Sequence, residues 1–479
     1  MGILLRLRSS PLVIALLATG AAAADSSLAS GAAEPSSTPP LFAFTKTGSL
    51  GIPRSGHAAT LLLTGEVLVT GGGNGFPDVT AELYDPATRS FSPTMGHMIE
   101  ARSGHTASLL SNANPPNHGK VLIVGSVGTS AELYDPVKRT FAATGSMHHA
   151  RTSPTATLLN SGKVLIVGGD PSTTDPRAEL YNPASGTFSY TGSTTTLRNG
   201  HSATLLNDGD VLIAGGTGAA GATAEVYSPS SGIFRRTIGN MTEARTGHTA
   251  TLLGAEDGNQ NGRVLIIGTD GFADVYNPTS ETFTRVGSSL LGPQDYKHTA
   301  SLINDQGAVL VAGGYAKLTC GGSNVFPVSV PGAELFAWEN DGFTVTGHLN
   351  IARDGHTATV LADGITVLIV GGTERSPTYC NGSTNILSSA ELFQNNGTQA
   401  QQTQTLTGYC IVPENATPGC IVSGNPAACP AGQAAIAPTT YIDFCHTYPF
   451  SRTTLDPFRG CVAKSSTGVF HPGGRCLVQ

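Results

Sequence analysis

The sequence predicts an all-β fold: seven four-stranded antiparallel units arranged in a ring, followed by a small Cys-rich segment. Three observations lead there. The 479 residues include 60 Gly and only 12% charged residues. Average chains have roughly 7% Gly and 25% charge, and glycine costs about 1 kcal/mol in a helix interior. One phrase recurs seven times: GHAATLL at Gly56, GHTASLL at Gly104, SPTATLL at Ser153, GHSATLL at Gly200, GHTATLL at Gly247, KHTASLI at Lys297 and GHTATVL at Gly355. Each copy opens a unit of apolar segments in the same order, four to a unit in the first six. A four-stranded sheet repeated seven times, with a period near 50 residues, is the arithmetic of a seven-bladed β-propeller.

Taken in chain order, residues 1–24 read as a signal peptide. Arg6 and Arg8 precede an apolar run from Pro11 to Ala18, and small residues lead to Ala24. That run is shorter than the roughly 20 residues a membrane span needs. Residues 25–40, rich in Ser, Ala and Pro, read as a disordered linker. The propeller is expected over residues 41–398. Within each unit the first segment is the recurring phrase and the second is a β-branched run such as Lys163 to Gly169. A short apolar run ending at glycine suits a strand buried on both faces. The third segment is AELYDP at Ala81 and Ala131, with close variants, and the fourth carries a Phe, as at Phe188 and Phe283. Asp208-Gly209 and Asn160-Ser161-Gly162 supply hairpin turns between first and second strands.

The seventh unit stops after its third segment, at Phe393, whereas Phe42 to Thr45 stands alone before the first unit. An open ring would leave a sheet edge exposed. Phe42 to Thr45 is therefore expected to close the seventh blade, with Gln402 to Thr407 as the other candidate.

The double glycine after the second strand, the Tyr of the third and the aromatic of the fourth resemble the kelch repeat. The nearest flavour is the propeller that forms the central domain of galactose-oxidase-like proteins. The resemblance spans roughly Leu41 to Phe393 and departs at Gly125-Ser126 and Gly268-Thr269, which lack the second glycine.

Polar residues also recur. His57, His105, His201, His248, His298 and His356 are expected to satisfy a recurring buried backbone group, not to form a ring of metal ligands. Arg54, Arg102, Arg151, Arg198, Arg245 and Arg353 precede the first strands, and Glu82, Glu132, Glu179, Glu225, Glu334 and Glu391 lie in third strands. One charge pair per blade is expected, among residues such as Arg102, Glu132, Arg245 and Glu225. It would specify register more than add stability.

Departures from the repeat mark candidate sites. Two loops after second strands are long, Tyr315 to Gly332 and Thr373 to Ser389, and each holds one Cys. Cys320, Asn324, Phe326, Arg375, Tyr379 and Cys380 are therefore candidate binding residues, and Cys320 could pair with Cys380. His97, His148, His149 and His348 follow fourth strands and should lie on the same face. They lack the ligand spacing of a metal site. On the opposite face Asp257, Asn259 and Asn261 fit the first half of a calcium loop. The acidic twelfth position is Gly268, which favours a lengthened hairpin turn.

Residues 399–479 hold six of the eight Cys, at Cys410, Cys420, Cys429, Cys445, Cys461 and Cys476. In an exported chain an even count reads as disulfides of unreadable connectivity, and the lack of C-x-x-C opposes zinc.

The predicted function is a secreted or periplasmic binding module, non-catalytic and monomeric, for a protein or carbohydrate ligand. Nucleic acid is excluded as a partner by 26 Lys+Arg against 33 Asp+Glu. No later segment is long enough to span a membrane. No catalytic motif of the G-x-S-x-G or H-E-x-x-H type occurs, and a sialidase-like propeller would need several Trp where only Trp338 exists. The resemblance implies the alternatives, a copper-radical oxidase or a kelch-type sugar mutarotase. The oxidase needs a Tyr joined to a Cys, a second Tyr and two His. Tyr379, Cys380, Tyr296 and His298 are the nearest candidates, in a setting that does not match. No cofactor is called for, with calcium and copper left open.

Overall fold

The computed structural model describes residues 42–112, 117–126, 128–169, 177–254, 262–268, 272–288, 297–303, 307–320, 324–337, 342–375 and 384–395, together with five strands between Gly408 and Val478. Seven four-stranded antiparallel sheets form the blades. The first runs Ala58–Leu61, Val67–Thr70, Ala81–Asp85 and Ser90–Pro93 from inside to outside. Blades two to six repeat that order, each contributing one continuous stretch of chain.

The seventh blade combines both ends of the ring. Thr357–Val360, Val367–Val370 and Ala390–Asn395 are joined on the outside by Phe42–Lys46. Phe44 lies opposite Phe393, with ring centroids 5.0 Å apart. The same pair recurs elsewhere as Tyr84–Phe91 and Tyr181–Phe188, both at 4.9 Å. Phe42 to Thr45 therefore occupies the fourth-strand position, as its aromatic pattern predicts.

The apolar second strands are explained by what lies on each side of them. The described residues contain seven hydrophobic clusters, one at each seam between adjacent blades. Val67 and Val69 pack toward the seventh blade, whereas Leu68 packs toward the second. A central strand of a propeller blade thus serves two cores, and alternation into water never appears. Each fully buried aliphatic side chain contributes roughly 1.5–3 kcal/mol.

The glycine pairs have a specific cause. Gly215 adopts φ +67°, and a Cβ there would lie 2.6 Å from Cε1 of His248 in the next blade. Gly313 repeats the geometry against His356, also at 2.6 Å. Positive φ and the neighbouring ring both exclude a side chain at these positions.

Past the ring, Gly408–Ile411 pairs with Phe470–Val478, which places the Cys410 backbone opposite Cys476. Phe470–Val478 also pairs with Cys461–Lys464, and Cys420–Ile421 runs parallel to Ala435–Ile436.

Candidate functional site

Six of the seven blades are entered through a connector that carries the recurring Arg, and that Arg fixes the connector to its own blade; the sixth has Asp295 at that position. Arg54 Nη2 lies 3.0 Å from Glu82 Oε1, and Nη1 donates to the Gly71 carbonyl at 2.9 Å. Glu82 also accepts the backbone N–H of Gly51 at 2.7 Å. Arg102–Glu132 at 3.0 Å, Arg198–Glu225 at 2.7 Å and Arg353–Glu391 at 2.7 Å repeat the arrangement. Arg245 and Glu225 do not pair with each other. Arg245 takes Asp274 of its own blade at 3.4 Å, so in this blade the acid is one carbon shorter. These bonds also place connectors and second-strand ends on one face.

The recurring His serves the ring differently from the expectation. Its Nε2 bonds a side-chain hydroxyl of the preceding blade, not a backbone group. His57 meets Thr357 Oγ1 at 2.9 Å, His201 meets Thr155 at 2.9 Å, and His356 meets Thr299 at 2.9 Å. Ala58 lacks a hydroxyl, and there His105 bonds Thr70, directly across the hairpin from Ala58, at 2.8 Å. In the third blade Pro154 replaces the His, and Thr106 Oγ1 is buried without a partner. Burial, aided by the adjacent Arg, lowers the pKa of His57 to about 4 and of His201 to about 3. These imidazoles are neutral ties between blades.

Among the described residues, only the sixth and seventh blades carry paired extra strands on the connector face. Tyr315–Cys320 pairs with Asn324–Ser329, and Thr373–Arg375 pairs with Thr384–Ile386. One buried carboxylate joins the two hairpins to the ring. Asp354, in the connector to the seventh blade, accepts Ser329 Oγ at 2.8 Å and Arg375 Nε at 2.8 Å on Oδ2. The Arg375 backbone N–H donates to Ser329 Oγ at 3.0 Å, and Thr373 Oγ1 donates to Ser55 Oγ at 3.1 Å. Asp354 is fully buried, and Arg375 remains partly exposed.

Of the expected binding residues, Cys320 and Asn324 face each other at the hairpin tip by backbone register, and Phe326 sits half-buried opposite Leu318. Tyr379 and Cys380 lie outside the described residues, as do Asp257, Asn259 and Asn261. The His residues fall at three separate blade junctions, with His148 and His149 sharing one. His97 is exposed. His148 Nδ1 meets Glu179 at 2.9 Å, His149 Nε2 meets Tyr190 at 2.8 Å, and His348 Nδ1 donates to the Leu349 carbonyl at 3.1 Å. Asp354, Ser329 and Lys297 were not singled out from sequence. Aligning the seven copies position by position would have exposed two of them. Asp354 stands where other copies have Ser, Thr, Asn or Tyr, and Lys297 stands where five have Gly.

No family model matches the chain, and no curated protein matches it. Among solved structures it is similar to a novel fungal alcohol oxidase with catalytic diversity among the AA5 family, in complex with copper. That likeness has a TM-score of 0.53 and 16% identity, covering 74% of this chain and 76% of the oxidase chain. It establishes the fold alone. A copper site is not supported by the donors described. His298 is committed to Thr249 Oγ1 at 3.0 Å, Tyr296 lies outside the described residues with Tyr379 and Cys380, and no three His, Cys, Asp or Glu converge among the described residues. Nor is any described helix long and apolar enough to cross a membrane. What the chain shares with the oxidase is the fold of the ring.

Proposed function

We propose that the protein is an exported, non-catalytic propeller that captures a protein or carbohydrate ligand on the face carrying the two hairpins. One observation carries this reading. Both extra hairpins rise from neighbouring blades of an otherwise regular ring, and the buried Asp354 carboxylate bonds both to the connector of the seventh blade. Recognition surfaces are commonly loops held by a rigid scaffold. The Asp354–Arg375 bond gives these loops such a base.

Replacing residues 318–326 with Asn-Gly shortens the first hairpin while keeping Ser329. The shortened protein is expected to fold, with an unchanged circular dichroism spectrum, and to lose ligands that the full protein retains on a glycan and secreted-protein array. Unchanged retention would overturn the reading. So would release of hydrogen peroxide from alcohols or aldehydes by the copper-loaded protein.

A further inference from the structure

The mouth of the ring on the hairpin face is lined by the residue pairs that precede the recurring His. Their backbones bond around the ring: Gly104 N–H donates to Gly56 O at 2.8 Å, Gly247 to Gly200 at 2.8 Å and Gly355 to Lys297 at 3.1 Å. The partners of the glycines are hydroxyl-bearing. Ser55, Ser103 and Thr246 are all partly exposed at this rim.

Lys297 breaks the pattern. It adopts φ +61°, the left-handed conformation that glycine takes at the same position in five blades. A non-glycine residue there is strained, because its Cβ crowds the following carbonyl. Backbone strain of this kind is concentrated at functional sites. The Lys297 side chain is exposed, and its Cδ lies 3.5 Å from where a Gly355 Cβ would stand. Ser55 Oγ lies 3.6 Å from the same point, so both flank Gly355, the neighbour of Asp354. No acidic group pairs with Lys297 among the described residues. Arg375 turns Nε and Nη2 to Asp354, at 2.8 and 3.4 Å, which leaves the Nη1 edge open among the described residues.

Lys297 and Ser55 thus flank Gly355, and Arg375 bonds the adjacent Asp354, so two cationic side chains and a rim of hydroxyls border the same Asp354–Gly355 corner of the mouth. We infer that this point binds an acidic carbohydrate, its carboxylate held by Lys297 and the open edge of Arg375 and its hydroxyls by the Ser and Thr rim. The inference rests on the binding-module reading above and gives that surface a ligand class. An exposed ammonium and a guanidinium edge match a carboxylate by charge-assisted hydrogen bonds, and a neutral sugar offers them nothing equivalent.

The test uses the full chain, with oligogalacturonate, galacturonate, acetate and neutral galactan as probes in calorimetric titration. Oligogalacturonate should bind, galactan should bind at least about tenfold more weakly, and raising salt should weaken the former. Acetate alone should bind more weakly than galacturonate, because it lacks the hydroxyls. Lys297→Gly should raise the melting temperature by relieving the strain and lower oligogalacturonate affinity about tenfold or more. Lys297→Gln should lose the same affinity without the gain in stability, and Lys297→Arg should retain binding. Equal affinity for galactan and oligogalacturonate, or unchanged affinity in Lys297→Gly and Lys297→Gln, overturns the inference. If the shortened hairpin abolishes ligand retention while the Lys297 variants leave it intact, the acidic ligand is wrong and the binding face stands. If neither change affects retention, both fail.

Discussion

Thr106 and Thr299 occupy the same position in two blades, and only Thr299 has a partner, His356. The difference gives a matched pair of tests. Thr299→Val strips the bond from a buried imidazole and should cost about 1–3 kcal/mol, whereas Thr106→Val removes an unpaired hydroxyl and should be neutral or slightly stabilising. Urea midpoints of the two variants read this directly, and equal losses would refute the assignment of the His ties. A second repeat gap lies at Met95. At three other junctions the Thr before a connector glycine meets the next blade's tyrosine, as Thr47 meets Tyr84 at 2.7 Å and Thr144 meets Tyr181 at 2.9 Å. Met95 has no hydroxyl and is 81% exposed, and Tyr134 Oη is buried without a partner. Burial raises the Tyr134 pKa to about 12. Met95→Thr should therefore stabilise by about 1 kcal/mol, the net value of one hydrogen bond, seen as a higher melting temperature.

Among the elements, the strand Phe42–Lys46 carries the closure of the ring. It pairs with Ala390–Asn395 over five residues and inserts Phe44 beside Phe393. Phe44 is buried between the sixth and seventh blades. Phe44→Ala should cost about 3–5 kcal/mol, as other large core truncations do. A chain begun at Thr47 would leave the Ala390–Asn395 edge unpaired, and exposed edges recruit other chains. Size-exclusion chromatography should show it self-associating, and a monodisperse monomer would contradict that role. The hairpins are the opposite case. Their strands add to no blade, so their loss should spare the ring and affect only what it binds.

For the molecule as a whole, the interblade histidines couple ring stability to pH. Burial first and the neighbouring arginine second hold His57 near 4, His105, His201 and His248 near 3, and His356 well below its usual value. In the unfolded chain each titrates near 6.5. The unfolded state therefore binds more protons below that pH. Stability is complete above about pH 6.5 and falls as the solution is acidified toward the folded values. Unfolding between about pH 6.5 and 4.5 should take up as many as five protons, measurable from the slope of stability against pH. A flat profile in that window would contradict neutral, buried rings. Replacing His201 by Gln should reduce the slope by about one proton.

The ring was legible because propeller blades repeat. Seven copies of one phrase reveal the strands, their number and even the orphan Phe42–Thr45, since closure demands a fourth strand where the last unit lacks one. The Arg–acid ties were legible in kind, but Asp274 was missed as the partner of Arg245 because its side chain differs from the repeated Glu. The histidine partners were not legible, for they belong to the preceding blade, 46 to 57 residues away except for the 35 between Thr70 and His105 and the 300 between His57 and Thr357. The sequence by itself determined the number of blades and their closure, because both depend on periodicity along the chain. Only the tertiary structure decided that Asp354, Ser329, Arg375 and Lys297 share one place. Their proximity arises from neighbouring blades meeting at the mouth of a closed ring, and no spacing along the chain encodes it.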